Sequence, residues 1–332
     1  MRRHGAGRGR SFGGHNKTLL LKKEHLLKST PKFAALACLI TATFLWGSSF
    51  IALKLAFRSF DPMFVIFARM FIASLIFLIF IKKFIEAPWR RVDIPAVLFM
   101  AFCEPCLYFI FEAKAIQNTT ASQAGMICAM LPLMVAVAAA ALLGERLTIR
   151  TAAGFLLAIA GAALLSIGAE VSEHAPNPLL GNFYEFMAML CATGYVITLK
   201  RLSARYSPLV MTGIQAFAGA LFFFPFLLLP GSTLPVNPPI DDTLAVLYLG
   251  SFVTVGAYGL YNVGVSMVPA AQATAFINLI PVFTLILGWL ILGESFAAIQ
   301  YLASALVLLG VILSQRGAAS KTAEPLPAAE LH

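Results

Sequence analysis

Residues 121–145 read ASQAGMICAMLPLMVAVAAAALLGE, and residues 270–294 read AAQATAFINLIPVFTLILGWLILGE. Displaced by 149 positions, Ala121, Gln123, Ala124, Pro132, Leu143, Gly144 and Glu145 fall on Ala270, Gln272, Ala273, Pro281, Leu292, Gly293 and Glu294. The register continues without a gap until Gly161 and Gly168 meet Gly310 and Gly317. Upstream, a displacement of 150 brings Phe102 and Tyr108 onto Phe252 and Tyr258, and one of 146 brings Lys54 and Pro62 onto Lys200 and Pro208. The chain is built from two related halves, 33–168 and 182–317.

The composition says where these halves reside. Of 332 residues, 60% are hydrophobic and only 12% charged, whereas a water-soluble domain carries about 25% charged residues to cover its surface. That speaks against a soluble globular enzyme. Apolar runs of the length needed to cross about 30 Å of hydrocarbon recur at about 33–57, 63–82, 94–116, 120–143, 150–168, 182–200, 209–229, 243–265, 270–292 and 297–315. The expected fold is therefore an all-α membrane protein of ten transmembrane helices. Each half holds five. An odd number makes the second copy enter the bilayer from the other side, giving two inverted five-helix repeats, the architecture of alternating-access transporters.

Basic residues orient the chain. They concentrate in 1–32 and 82–93, at Arg146 and Arg150, at Lys200, Arg201 and Arg205, and at Arg316 and Lys321, while the opposite face has only Arg58. Cytoplasmic loops are the ones enriched in Lys and Arg, so both termini are expected in the cytoplasm. Arg146 and Arg150 become Ser295 and Ile299 in the second copy, as opposite orientation requires. The ends read as a basic cytoplasmic N-terminal tail, 1–32, that touches anionic lipid, and a disordered C-terminal tail, 318–332.

Several chemistries find little support. The five cysteines, including the Cys103–Cys106 CxxC, fall inside apolar spans, where a thiol behaves as a small hydrophobe; all five histidines lie outside them. No metal site, cofactor or enzymatic activity is expected. The run Gly9–Thr18 fails the phosphate-loop pattern, because His15 follows Gly14 where Lys is required.

Ionisable and polar groups at membrane depth are functional candidates by default. Glu104, Tyr108, Phe111 and Glu112 share one helix face, and the equivalent face of the eighth span carries Thr254, Tyr258, Tyr261 and Asn262. Two such stripes on symmetry-related helices imply a shared interior cavity. Arg69 has two readings: an ion pair with Glu112 or Glu104, or capture of a substrate carboxylate. Trp46 stacks on or gates a ligand, or packs in the core. Asn278 and Thr274 are further lining candidates. Glu104 and Glu112 are candidate proton- or cation-binding groups. Lys54, Lys114 and Glu185 lie close enough to the outer ends to snorkel. Pro132 and Pro281 bend their helices, as packing kinks or as hinges. Glu145 and Glu294 read as structural anchors, and the small residues around Gly154, Ala158 and Gly161 as a scaffold or dimer surface.

Trp46-Gly47-Ser48 in the first span, Pro62 and Arg69 in the second, and Pro132…Leu143-Gly144-Glu145 with its second copy resemble the EamA-type transporters of the drug/metabolite transporter superfamily. The resemblance covers about 33–317. It implies a ten-helix inverted-repeat fold with a central substrate cavity, in a family whose members often export amino acids or other small metabolites. The short loops resemble the bacterial inner-membrane branch. Glu104 beside Pro105 is not part of that general pattern. The expectation is a secondary transporter exporting amino-acid-like solutes or drugs by alternating access; an uncoupled facilitator or exchanger and a lipid-handling membrane enzyme are the alternatives. Candidate partners are a small-molecule substrate, protons, the lipid bilayer and a second copy of the chain, with no nucleic acid.

Overall fold

The computed structural model describes residues 13–143, 148–173, 175–229, 237–267 and 276–319, with side chains omitted for 13–32, 143, 265–266 and 314–319. Apart from an isolated bridge between Ser172 and Ala175, the described residues are in helices, turns or short irregular connections. The helices are α1 (Gly13–Ala56), α2 (Pro62–Leu78), α3 (Ile81–Ile85), α4 (Ile94–Ala101), α5 (Tyr108–Asn118), α6 (Ala121–Cys128), α7 (Leu131–Leu143), α8 (Ile149–Ile167), α9 (Pro178–Leu202), α10 (Pro208–Phe223), α11 (Ile240–Tyr248), α12 (Tyr258–Met267), α13 (Ile280–Leu292) and α14 (Ala298–Ala319). α1 begins inside the basic N-terminal stretch and runs unbroken into the first apolar span. Residues 320–332, most of the C-terminal tail, lie outside the described residues.

Local chemistry sets the helix starts. Asp61 accepts hydrogen bonds from the Met63 and Phe64 amides at 2.9 and 3.2 Å, with Pro62 in the first turn. Ser207 and Pro208, at the equivalent place in the second half, start α10 in the same way. Side-chain caps of this kind satisfy amides that have no intrahelical partner, and proline is tolerated where its missing N–H is not needed. Gly293, at φ 67°, ends α13 in the left-handed conformation that favours glycine.

Among the described residues, six helical stretches are long and apolar enough to cross a membrane: Phe33–Ala56, Arg91–Asn118, Ala121–Leu142, Ile149–Ile167, Pro208–Leu228 and Ile240–Gly264. Pro62–Leu78, Phe276–Leu292 and Ala298–Leu313 are shorter apolar helices. The outside is greasy, with Leu98, Phe99, Ile149, Ile167, Leu221 and Trp289 exposed, while Arg69, Glu104, Glu112 and Glu185 are buried. This inverts the usual distribution of polar groups in water, and the chain is a multi-pass membrane protein.

The prolines act differently from a simple bend. The fourth span is interrupted at residues 129–130, and Pro132 sits in the first turn of a new helix, α7. Pro281 likewise sits in the first turn of α13, after a 3-10 turn at Phe276–Leu279. Each proline thus opens a segment. A second irregularity is paired in the same way. The third span passes through π-helical turns at Phe102–Leu107 and the eighth at Leu249–Ala257, overlapping positions under the 150-residue displacement.

α8 and α14 pack closely through repeat-related positions. A Cβ on Gly161 would sit 2.8 Å from the Val307 nitrogen, and one on Gly310 would sit 2.8 Å from the Ala158 nitrogen. Ala158, Ala303 and Val307 are fully buried there. The small-residue face of the fifth span is therefore used within the chain.

Candidate functional site

The π turns place the site. At Glu104 the backbone leaves helical geometry (φ −143°, ψ 117°) before a cis peptide to Pro105. This turns the Glu104 carbonyl to accept a hydrogen bond from Gln215 Nε2 of α10 at 3.0 Å. The Glu104 side chain crosses to the other half, where Tyr258 donates to Oε1 at 2.5 Å. Tyr258 in turn meets Trp46 edge-on at 5.2 Å, and Tyr261 lies 5.0 Å from the same indole. Gly47, beside Trp46, lets α13 approach: its Cβ would fall 2.9 Å from that of Phe283, and Thr284 donates to its carbonyl at 3.0 Å.

Arg69 of α2 occupies the centre, 3% exposed. Its Nη1 lies 3.6 Å from Glu112 Oε2, its Nε donates to Thr254 Oγ1 at 3.3 Å, and its guanidinium sits 4.3 Å above the Phe109 ring. Tyr108 donates to the other Glu112 oxygen at 3.0 Å. The 3.6 Å contact is ionic but longer than a hydrogen bond, so Nη1 has no hydrogen-bond partner among the described residues. A buried guanidinium with a donor to spare suits a bidentate anionic group. Thr254 completes the set by donating to Leu249 O, five residues back along the π turn.

The two stripes read from sequence thus meet. Glu104 reaches Tyr258, and Arg69 joins Glu112 to Thr254. Between them lies a cavity of about 20 Å³ bordered by Met70, Glu104, Phe109, Thr212, Gln215, Thr254 and Tyr258, about enough for one water. Asn262 is half-buried on α12, one turn beyond Tyr258. Asn278, on the turn before α13, leaves its Oδ1 unpartnered. Gly144, Glu145 and Thr274 lie outside the described residues.

Four further placements bear on the sequence reading: one agrees with it, and the others differ from it or add to it. Lys114 is exposed over the Tyr184 ring at 5.4 Å, as a snorkelling residue would be. Glu185 does not snorkel: it is fully buried, because its face of α9 is packed against α5 rather than turned to the interface. Glu294 accepts from the Ala121 and Ser122 amides at 2.8 and 2.9 Å, so it anchors the positive end of α6. A cluster that the sequence did not suggest joins Asp93 to Arg205 and to Tyr206, whose ring stacks on Trp89 at 4.9 Å. These residues are more than a hundred positions apart, and no periodicity links them.

The model of the "EamA-like transporter family" matches residues 33–167 and 179–315. An "Uncharacterized transporter YetK" of Bacillus subtilis is 29% identical over 304 residues, covering 90% of this chain and 91% of its own length. An uncharacterized transporter of Archaeoglobus fulgidus is 25% identical, with 83% and 96% covered. A "Probable terminal-alkyne amino-acid exporter" of Streptantibioticus cattleyicolor is 24% identical, with 85% and 93% covered. A crystal structure with 20% sequence identity superposes with a TM-score of 0.59 over 89% of this chain and 99% of that one, a likeness of fold.

Proposed function

The chain belongs to the EamA-like transporter family, and from that premise we propose that it is a secondary transporter exporting small organic metabolites, amino-acid-like solutes or drugs, by alternating access. In this reading ten helices cross a bacterial inner membrane as two inverted repeats, 33–168 and 182–317, with both termini cytoplasmic. The tails, 1–32 and 318–332, flank the transport unit.

One observation carries the reading. A buried arginine with an unused donor sits between a carboxylate of the first half and a hydroxyl of the second. The donor that Arg69 has left over suits recognition of an anionic group. A solute carboxylate would take Arg69 from Glu112, and a solute ammonium would meet Glu104 or the released Glu112. Trp46 and Tyr258 supply aromatic walls. The amino-acid exporter among the relatives supports the same solute class. Because the cavity is about the size of one water, binding a metabolite requires the two halves to part, which is the movement alternating access supplies.

The test is counterflow in proteoliposomes with a pooled metabolite mixture read by mass spectrometry, using empty liposomes and Arg69→Ala as controls. Selective exchange of carboxylate-bearing solutes that Arg69→Ala abolishes is the expected result. Exchange unaffected by Arg69→Ala overturns the assignment of the site. Group transfer or hydrolysis without exchange would overturn the transporter reading.

A further inference from the structure

Among the described residues Arg69 Nη1, Gln215 Oε1, Asn278 Oδ1 and Ser304 Oγ are buried without a hydrogen-bond partner, but Glu185 is the acid that leaves both carboxyl oxygens so. On α9, Asn182 accepts from Thr119 Oγ1 at 2.7 Å and donates to Gln123 Oε1 at 2.8 Å and to Ser166 Oγ at 3.0 Å. One turn further along the same helix, Glu185 is equally buried, and neither carboxyl oxygen has a hydrogen-bond partner among the described residues. The contrast argues against a structural role, since neighbouring elements satisfy the neutral amide and leave the acid alone.

Among the described residues no basic group is paired with Glu185; Lys114, the cation of the packed helix α5, is exposed over the neighbouring Tyr184 ring at 5.4 Å. Glu112 and Tyr108 of α5 and Cys128 of α6 lie in the electrostatic reach of Glu185. α4 and α7 contain no titratable residue, α8 has only Arg150 near its start, and Glu104 of the π turn is held by Tyr258. Arg69 already serves Glu112. An ionised carboxylate without a partner is too costly for a dry interior, and two neighbouring carboxylates do not both ionise there.

We propose that Glu185, buried where α9 packs against α5, is a proton-binding site of this protein that exchanges its proton with solution during the transport cycle. The inference rests on the transporter reading and deepens it by naming the coupling ion and its residue. In the closed arrangement the Glu185 carboxyl holds the proton. When α5 and α9 separate, the O–H bond breaks, the electron pair stays on the carboxyl oxygen and the proton passes to admitted water. A proton fits better than a metal ion, which needs several oxygen ligands: among the described residues no three His, Cys, Asp or Glu side chains are grouped to hold one.

The test is an infrared pH titration of the full chain in proteoliposomes, reading the stretch of protonated carboxyl groups. Loss of one band in Glu185→Gln, with that band kept in Glu104→Gln, is expected. An unchanged band in Glu185→Gln, or displacement of the band by sodium at constant pH, overturns the proposal. Should Glu185→Gln fail to fold, the wild-type chain is treated with an apolar carbodiimide, which modifies protonated buried carboxyls, and is mapped by peptide mass spectrometry. An adduct at Glu185 that diminishes as pH rises supports the site; modification of Glu104 without Glu185 refutes it. Neither readout involves a solute, so failure of counterflow and failure of this site are told apart.

Discussion

Arg69 and Glu112 form a buried pair whose coupling is measurable. At 3.6 Å and an effective dielectric of about 20, the attraction is about 5 kcal/mol. The side chains are 4% and 6% exposed, so solvent screens little of it. Removing one partner leaves the other charged and buried, which costs about 3–5 kcal/mol. Arg69→Met and Glu112→Gln should each lose that much in reversible unfolding in mixed detergent micelles, followed by tryptophan fluorescence. The double variant removes both charges and leaves no orphan: Thr254 keeps its bond to Leu249, and the methionine still covers Phe109. It should fall within about 2 kcal/mol of wild type, because replacing a whole buried pair is often neutral. A double variant as destabilised as the two single variants summed would mean that the two residues act independently, refuting the pairing on which the site assignment depends.

Other expectations follow from the same contacts. Tyr258→Phe removes a hydrogen bond to a carboxyl, worth about 1.5–3 kcal/mol if Glu104 is charged; counterflow should drop about tenfold or more, with no further loss in a Glu104→Gln background. Gly310→Val places a branched side chain against the Gly154 carbonyl and Ala158 and should cost about 1–3 kcal/mol, read as a lower unfolding midpoint. Glu294→Ala frees the Ala121 and Ser122 amides, which should exchange hydrogen faster by mass spectrometry while α8 amides are unchanged. Cysteines introduced at Ser59 and Ser203 should react with an impermeant reagent from opposite sides of the membrane; labelling from one side overturns the proposed topology.

Much of this architecture was legible because bilayer-length apolar runs and an internal repeat leave strong marks on a sequence. The 149-residue repeat and the two polar-aromatic stripes could be read directly, and the meeting of Glu104 with Tyr258 follows from the stripes. The π turns could not. Hydropathy counts which residues are apolar, not which carbonyl each amide finds; the one signal was Pro105, which disfavours helical geometry at the residue before it, and Glu104 does leave the helix there. Glu185 was misjudged for a related reason: depth along a helix can be counted, but the neighbour on that face is set by packing. The Pro132 and Pro281 segments show the same limit, since a proline that bends one helix and a proline that opens the next look identical in sequence.

The seam between α8 and α14 bears on how such a chain could arise. Gly161 meets Val307 and Gly310 meets Ala158, and the second pair is the first with its repeat positions exchanged. A surface that recognises its own copy in this reciprocal way is what two identical subunits related by a two-fold axis would use. Half of the molecule therefore already carries an adhesive for the other half, independent of the connecting segment. Expressed as two separate polypeptides divided near residue 175, the halves should find each other through this seam, as an ancestral unit would have found a second copy of itself before the two became one chain.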